Sequence, residues 1–206
     1  VGFVGGFNIG REYISKDPGF GYWRDTHLRI TGEAVMSLQI RFALDWNYAT
    51  GENLFKNEAY FRTDLKKKTD VRRDKERPAW PDPELEGSQV GMQIIASGPD
   101  TREPHIRNNY LELFHKAKHH IYIQTPYFVP DDAIFSALKM AALSGVDVRL
   151  MIPCKPDHPF VYRATCSYAG ELLDYGAKVY IYTNGFLHSK GIMVDGRVCC
   201  YGTANM

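Results

Sequence analysis

Apolar residues change their spacing along the N-terminal quarter of the chain, and each spacing predicts either a strand or a helix. Residues 1–8 are apolar and typical of a strand that Gly5-Gly6 breaks, and the alternation at residues 27–30 predicts a second strand. Apolar residues then recur every three or four positions, which predicts an amphipathic helix over residues 33–47.

Beyond Gly87, strand-like and helix-like segments alternate. Strands are predicted at residues 90–97, 121–125, 146–152, 178–182, about 187–194 and about 197–202. Helices are predicted where apolar residues share one helical face, around Ile106–Ala117, Ile134–Ala141 and Val161–Leu172. The Asp195-Gly196 dipeptide favours a two-residue hairpin between the last two strands. The sequence therefore predicts an α/β fold, with helices packed on a largely parallel mixed sheet.

Residues 62–88 interrupt this pattern. Basic residues crowd before Pro78, and prolines and acidic residues follow. The segment is interpreted as a charged, proline-rich linker loop with no core of its own.

Composition excludes several classes of protein. Hydrophobic residues make up 44% of the chain, which is enough for a core. The 25 Lys+Arg against 24 Asp+Glu give a net charge of +1, so no nucleic-acid partner is expected. No apolar run reaches the roughly 18 residues of a membrane span. Because the chain begins at Val1 within an apparent strand, we expect a fragment whose membrane anchor lies outside it.

The four cysteines lack the CxxC spacing of a metal or redox site. We interpret them as reduced core residues, with a disulfide or metal set as the alternative. They are Cys154, Cys166, Cys199 and Cys200.

The two ends of the chain resemble each other. Residues 1–8 align without gaps to residues 198–205, with identical Val, Gly and Asn positions. The second copy follows the pattern H-x-K-x4-D, formed by His188, Lys190 and Asp195, and ends in a Gly-Thr-x-Asn turn at Asn205.

This pattern is suited to binding an anion. On a strand, His188 and Lys190 would point to the same side, roughly 6–7 Å apart. An ammonium and an amide donate hydrogen bonds to anionic oxygens, and an imidazole titrates near neutral pH, so it can serve as nucleophile or proton donor.

The complete pattern resembles the HKD motif of the phospholipase D superfamily, and further segments are similar to bacterial cardiolipin synthases in particular. Those segments are residues 5–10, 23–27, 123–130, 155–162 and 182–190. The resemblance implies a phospholipase D-like fold in which two HKD halves meet at a pseudo-twofold axis. Residues 1–61 would then be the C-terminal part of a first half, and residues 89–206 a second half. Only the end of the first motif, Gly5 to Asn8, is present.

The resemblance also implies an activity. Two phosphatidylglycerols are joined into cardiolipin and glycerol through a phosphatidyl-histidine, and neither a cofactor nor a metal is needed. His188 would be the general acid and base, Lys190, Asn205 and Asn8 would bind phosphate, and Asp195 would support the site. The fragment alone is expected to be inactive.

The remaining expectations concern substrate, membrane and alternatives. Tyr127 and His158 are candidate substrate contacts because they lie near strand ends, where α/β sites gather. The phospholipid substrate implies a cell-membrane location, with the site on the cytoplasmic side. A dimeric phosphodiesterase or nuclease of the same superfamily and an inactive lipid-binding relic are the alternatives, and the sequence leaves the acceptor alcohol open.

Overall fold

The computed structural model describes residues 1–61, 90–98 and 101–206. These residues group into two compact units: Val1, Phe3–Ile30 and Ile95–Met206 form the first, and Gly2 and Thr31–Ile94 the second. The predicted linker at residues 62–88 lies outside the described residues. The predicted boundaries of the two homologous halves, 1–61 and 89–206, stay a prediction.

The strands and helices largely follow one another in the order that the apolar spacing predicts, with the exceptions given below. The strands are β1 (Gly2–Gly5), β2 (Trp23–Arg24), β3 (His27–Ile30), β4 (His120–Gln124), β5 (Asp147–Pro153), β6 (Lys178–Tyr182), β7 (Phe186–Leu187), β8 (Gly191–Val194) and β9 (Val198–Tyr201). The helices are α1 (Ala34–Thr50), α2 (His105–Lys116), α3 (Asp132–Leu143) and α4 (Pro159–Leu173).

A five-stranded sheet in the order β6-β5-β4-β8-β9 forms the centre of the larger unit. Strands β4, β5 and β6 are parallel, and β8 is antiparallel to both β4 and β9. Four of the five strands therefore share one direction, and the predicted α/β fold with a largely parallel mixed sheet is confirmed. Two shorter pairs, β1 with β3 and β2 with β7, accompany this sheet.

The core lies between the sheet and helices α2, α3 and α4. Because successive side chains of a strand point to opposite faces, alternate residues such as Ile121 and Ile123 of β4 are buried in this core. They pack with helical residues such as Phe114 and Leu138. Burying an aliphatic side chain of this size contributes roughly 1.5–3 kcal/mol, so this core is the main source of stability of the larger unit.

The smaller unit contains α1 and a short 3-10 helix at Leu54–Lys56. Helix α1 confirms the helix predicted at residues 33–47, although Phe42 and Trp46 of its predicted apolar face are exposed, and it ends where Gly51 takes a left-handed conformation. Across the described part of the chain, no helix is both long and apolar enough to cross a bilayer.

Three expectations about local structure are wrong. Residues 90–98 form no strand; Val90 is 73% exposed, and an apolar run becomes a strand only where a neighbouring strand accepts its hydrogen bonds. The strand predicted at 187–194 is divided into β7 and β8, because residues 188–190 between them belong to no strand. The four cysteines are free, as predicted, but they are not buried in the core: Cys166 and Cys199 are exposed, Cys154 is half-buried, and the half-buried Cys200 packs against the core.

The β8–β9 hairpin turns at Asp195 and Gly196, as predicted, with positive φ angles of 52° and 64°. The Asp195 carboxylate accepts hydrogen bonds from the backbone N–H groups of Lys118, His119 and His120, at 2.8–2.9 Å. These hydrogen bonds, those of His120 and Lys118 first, favour the ionised carboxylate and lower the pKa of Asp195 to about 2. Asp195 therefore fastens the hairpin to the beginning of β4.

The variant Asp195→Asn should lower the melting temperature at neutral pH, because it replaces one of the two accepting oxygens with an amide that cannot accept. Asparagine tolerates the left-handed conformation, so backbone strain adds little. Since the folded pKa lies near 2 and the ordinary value is 3.8, the stabilisation is present above about pH 4 and is lost as pH falls through 2. Thermal unfolding between pH 7 and pH 2 measures this.

The exposed Asp174, at the end of α4, provides the matched control. Asp174→Asn should melt like the parent protein throughout. A difference between Asp195→Asn and the parent that does not shrink with falling pH would contradict the role given to the carboxylate.

Candidate active site

The short parallel pair β2–β7 positions the site. Trp23 pairs with Phe186 and Arg24 with Leu187. Immediately beyond the pair, the N–H groups of His188 and Ser189 donate to the carbonyl of Arg24, at 2.8 and 3.1 Å. Residues 25–26 are thereby held beside residues 188–189.

This attachment brings the carboxylate of Asp25 and the imidazole of His188 together. His188 Nδ1 lies 2.7 Å from Asp25 Oδ2, and the two side chains are only 12% and 10% exposed. Burial raises the pKa of Asp25, but the hydrogen bonds from His188 and from the Thr26 N–H outweigh burial and hold that pKa below its ordinary value. The ionised Asp25 therefore accepts the Nδ1 proton, which leaves Nε2 as the reactive nitrogen of His188.

Lys190 occupies the other side of the imidazole. Its Nζ is 3.0 Å from His188 Nε2 and 2.6 Å from the His188 carbonyl oxygen, and the residue is 7% exposed. Burial lowers the pKa of Lys190 to about 8, although the negative charges of Asp25 and Asp157 act in the opposite direction. His188 and Lys190 share one side as predicted, but they do so in a bend outside the ladder.

Aromatic rings and a hydroxyl pair enclose the imidazole. The rings of Trp23, Tyr13 and Phe186 lie 5.1, 5.8 and 6.3 Å from the His188 ring centroid. Thr26 Oγ1 and Ser189 Oγ share a hydrogen bond of 2.6 Å. The rings exclude water from one side of His188, and electrostatic interactions are stronger in such surroundings than in water.

The structure brings Asn8 to the vicinity of His188. Asn8 Nδ2 donates to the Tyr13 hydroxyl at 3.0 Å, and the Tyr13 ring packs edge-on against the imidazole. The adjoining Gly6 lies so close to Asp25 that a Cβ atom there would be 2.6 Å from the carboxylate oxygens. The Gly-Gly-Phe-Asn turn is thus built against the carboxylate–imidazole pair.

Asn205 and Asp195 lie further from the imidazole along the chain. Asn205 is exposed and makes no hydrogen bond within the described part of the chain, although its neighbours Ala204 and Met206 line a small cavity together with Lys190. Asp195 follows the end of β8 opposite to Lys190, where it binds backbone amides.

Tyr127 and His158 both contact the carboxylate of Asp157. The Tyr127 hydroxyl donates to Asp157, and its ring lies 6.3 Å from that of the exposed His158. Burial and the Asp157 carboxylate raise the pKa of Tyr127, so its hydroxyl stays protonated. These residues lie after β4 and at the beginning of α4, which is the strand-end location that the sequence predicts for them.

Sequence reasoning missed several members of the cluster, namely Tyr13, Asp25, Thr26, Asp157 and Ser189. Asp25 and Thr26 stand beside Trp23 in a segment that carried the family resemblance, but their role appears only with their partners. Both pairs, Asp25 with His188 and Thr26 with Ser189, join residues 163 positions apart. Because the two separations are equal, a prediction that residues 23–26 run parallel to residues 186–189 would have found both contacts.

Comparison with known proteins finds a family model that matches the C-terminal part of the chain. Residues 110–206 match the family model described as "Cardiolipin synthase, PLD-like domain". This part of the chain is therefore similar to a phospholipase D-like domain of cardiolipin synthases. The match confirms the resemblance seen in the sequence.

Similarity to named relatives extends over the whole chain. Cardiolipin synthases from Oceanobacillus iheyensis and Listeria innocua are each 49% identical to it over 100% of its length. The chain spans 39% of the length of these curated relatives.

Two solved structures are similar to part of the chain. The phospholipase D family member NUC from Salmonella typhimurium is 25% identical, over 49% of this chain and 64% of that chain, with a TM-score of 0.44. NucT from Helicobacter pylori is 20% identical, over 48% of this chain and 65% of that chain, with a TM-score of 0.38.

The variant Asp25→Asn should change the tautomer of His188. The Thr26 N–H binds the Oδ1 atom of Asp25, so the asparagine oxygen is retained there and its NH2 faces Nδ1. An NH2 group donates, so the imidazole proton should move to Nε2. Imidazole 15N chemical shifts measure the tautomer. Asp17→Asn is the control, and a proton that stays on Nδ1 in Asp25→Asn would contradict this geometry.

Lys190 should titrate near pH 8, whereas an unperturbed lysine titrates near 10.4. Because Asp25 favours the ammonium, Asp25→Asn should lower the pKa of Lys190 further. NMR of 13Cε-labelled lysine follows each titration, and Lys190→Met identifies the signal. An ordinary pKa for this signal would contradict the burial of the ammonium.

Proposed function

We propose that the protein at its natural length is a phosphatidyltransferase that condenses two phosphatidylglycerols to cardiolipin and glycerol. The observation that carries this proposal is the arrangement of His188 between Asp25 and Lys190, with Nδ1 bound to the carboxylate and Nε2 beside the ammonium. Its support from other proteins is the similarity to cardiolipin synthases over the whole chain.

A phosphodiester is anionic and repels nucleophiles, so its site must supply positive charge. Lys190 supplies an ammonium in a buried place, where its interaction with a non-bridging oxygen is strong. The amides of Asn205 and Asn8 donate to the same group of oxygens. Asp195 supports this arrangement from a distance, because it holds the hairpin whose first strand follows Lys190.

His188 transfers protons at Nε2. In the first step, the nucleophilic histidine, which the family resemblance assigns to the other HKD motif, forms a bond to phosphorus and the bond to glycerol breaks. For this step His188 must be the imidazolium, protonated at Nε2 as well as at Nδ1, and Nε2 gives its proton to the departing glycerol oxygen. In the second step, Nε2 takes the proton of an incoming hydroxyl, whose oxygen bonds to phosphorus as the phosphorus–histidine bond breaks.

Asp25 stabilises His188 through both steps. The imidazole becomes positively charged when Nε2 is protonated, and the adjacent carboxylate lowers the energy of that state. The aromatic rings of Trp23 and Phe186 keep water away from the pair. Asp25 is therefore a positioning residue that acts through His188.

The substrate also places the protein at a membrane. Both phosphatidylglycerols reside in the bilayer, so we propose membrane association through segments outside this chain, with the site on the cytoplasmic side. The acceptor hydroxyl would then arrive along the lipid surface.

His188→Ala in the protein at its natural length should reduce cardiolipin formation by about a thousandfold or more, because the group that exchanges protons with the glycerol oxygen and the incoming hydroxyl is removed. Cardiolipin produced from phosphatidylglycerol vesicles, measured by mass spectrometry, tests this. His105→Ala, which removes an exposed histidine, is the control. Normal synthesis by His188→Ala would overturn the assignment, and phosphatidic acid as the main product of the parent protein would favour a phosphodiesterase.

A further inference from the structure

Asp157 is a second carboxylate at the site, and its contacts differ from those of Asp25. Asp157 Oδ1 accepts the N–H of His158 at 2.8 Å, and Oδ2 accepts the hydroxyl of Tyr127. Its side chain is 18% exposed. A carboxylate offers about four lone-pair positions, so two remain for groups that arrive from solvent.

The surroundings of Asp157 connect it with the phosphate-binding side of the site. Gln124, at the end of β4, pairs with Gly191, which follows Lys190, and Thr125 lines a small cavity together with Lys190. Tyr127 therefore follows a segment that lies against Lys190, and the negative charge of its partner Asp157 acts on that ammonium. Tyr127 and Asp157 therefore stand beside the reacting groups and bond to neither His188 nor Lys190 within the described residues.

This carboxylate is unsuited to binding the phosphate itself. Two anions repel each other, and the oxygens of a phosphodiester carry no protons to donate. The groups that fit Asp157 are neutral hydroxyls, which donate to a carboxylate in short and strong hydrogen bonds. The hydroxyl oxygen of Tyr127 and the exposed imidazole of His158 add further polar contacts at the same place.

We propose that Asp157, with Tyr127 and His158, binds the vicinal hydroxyls of the acceptor's glycerol head group and directs one of them towards His188. The inference rests on the proposed phosphatidyltransferase function and adds a specificity site for a 1,2-diol. A site that hydrogen-bonds a substrate hydroxyl discriminates strongly against an analogue that lacks it, because its own polar groups are then left unpaired.

The second consequence of such a diol site is that it orients the attacking hydroxyl. A primary hydroxyl attacks phosphorus only when its oxygen lies in line with the leaving group, and its neighbouring hydroxyl on Asp157 restricts its rotation. Water has no second hydroxyl through which it could be held in this way. The cluster would therefore favour transfer to a diol over hydrolysis.

The experiment is an internal competition between two small acceptors. The protein at its natural length is given phosphatidylglycerol vesicles with equal concentrations of 1,2-propanediol and 1-propanol. The ratio of the two phosphatidyl products, measured by mass spectrometry, gives the acceptor selectivity. Because both products form in one vial, the ratio is independent of how much of a variant is folded.

We expect the parent protein to favour the diol. Asp157→Asn should lower the diol-to-propanol ratio about tenfold, the effect of one lost hydrogen bond to a charged group, and Tyr127→Phe about threefold. Asp147→Asn and Tyr180→Phe are matched controls, a carboxylate that pairs with Arg149 and Lys178 and a tyrosine on β6, and both should retain the parent's ratio.

The outcomes separate the two proposals. A parent protein that transfers to both alcohols without preference overturns the diol site, and so do unchanged ratios in both Asp157→Asn and Tyr127→Phe, while the proposed phosphatidyltransferase function stands. If Asp157→Asn does not fold, Tyr127→Phe decides by itself. A parent protein that forms neither cardiolipin nor any phosphatidyl alcohol overturns the proposed function and the diol site together.

Discussion

The site depends on one long-range attachment, the short pair of strands that joins Trp23–Arg24 to Phe186–Leu187. The hydrogen bonds that extend it reach across 163 residues of chain and bring Asp25 to His188 and Thr26 to Ser189. Closing so large a loop costs conformational entropy, and four backbone positions alone offer few hydrogen bonds in return. The buried rings of Trp23 and Phe186, 4.7 Å apart, and the half-buried Phe20 beside them supply apolar contact that offsets this cost.

Desolvation acts on all the charged groups of the site at once, and its effect differs with their partners. Asp25 receives two hydrogen bonds and remains ionised at a pKa below its ordinary value. Lys190 has neutral partners, the carbonyl and Nε2 of His188, and burial therefore lowers its pKa. Without the negative charges of Asp25 and Asp157, the pKa of Lys190 would be lower still. The two carboxylates thus support the positive charge that a phosphodiester requires.

The sequence predicts those features that depend on neighbouring residues. Apolar spacing gives the order β4, α3, β5, α4 and β6, and the Asp195-Gly196 dipeptide gives the final hairpin. Features that depend on distant partners escape it. Residues 90–98 have the composition of a strand but pair with no strand among the described residues, and Asp25 becomes part of the site only through the attachment at Phe186. Asp157 was hidden for the same reason, since its partner Tyr127 lies 30 positions earlier.

The contact between Lys190 Nζ and His188 Nε2 has a consequence for the resting protein. The Lys190 ammonium already occupies the hydrogen-bonding position of His188 Nε2, the nitrogen that would take up a proton. A water molecule therefore cannot give a proton to this nitrogen while the contact persists. An arriving phosphodiester draws the ammonium towards its own oxygens and uncovers that nitrogen. In the reaction we propose, the lipid thus exposes the imidazole nitrogen that transfers protons during its own reaction.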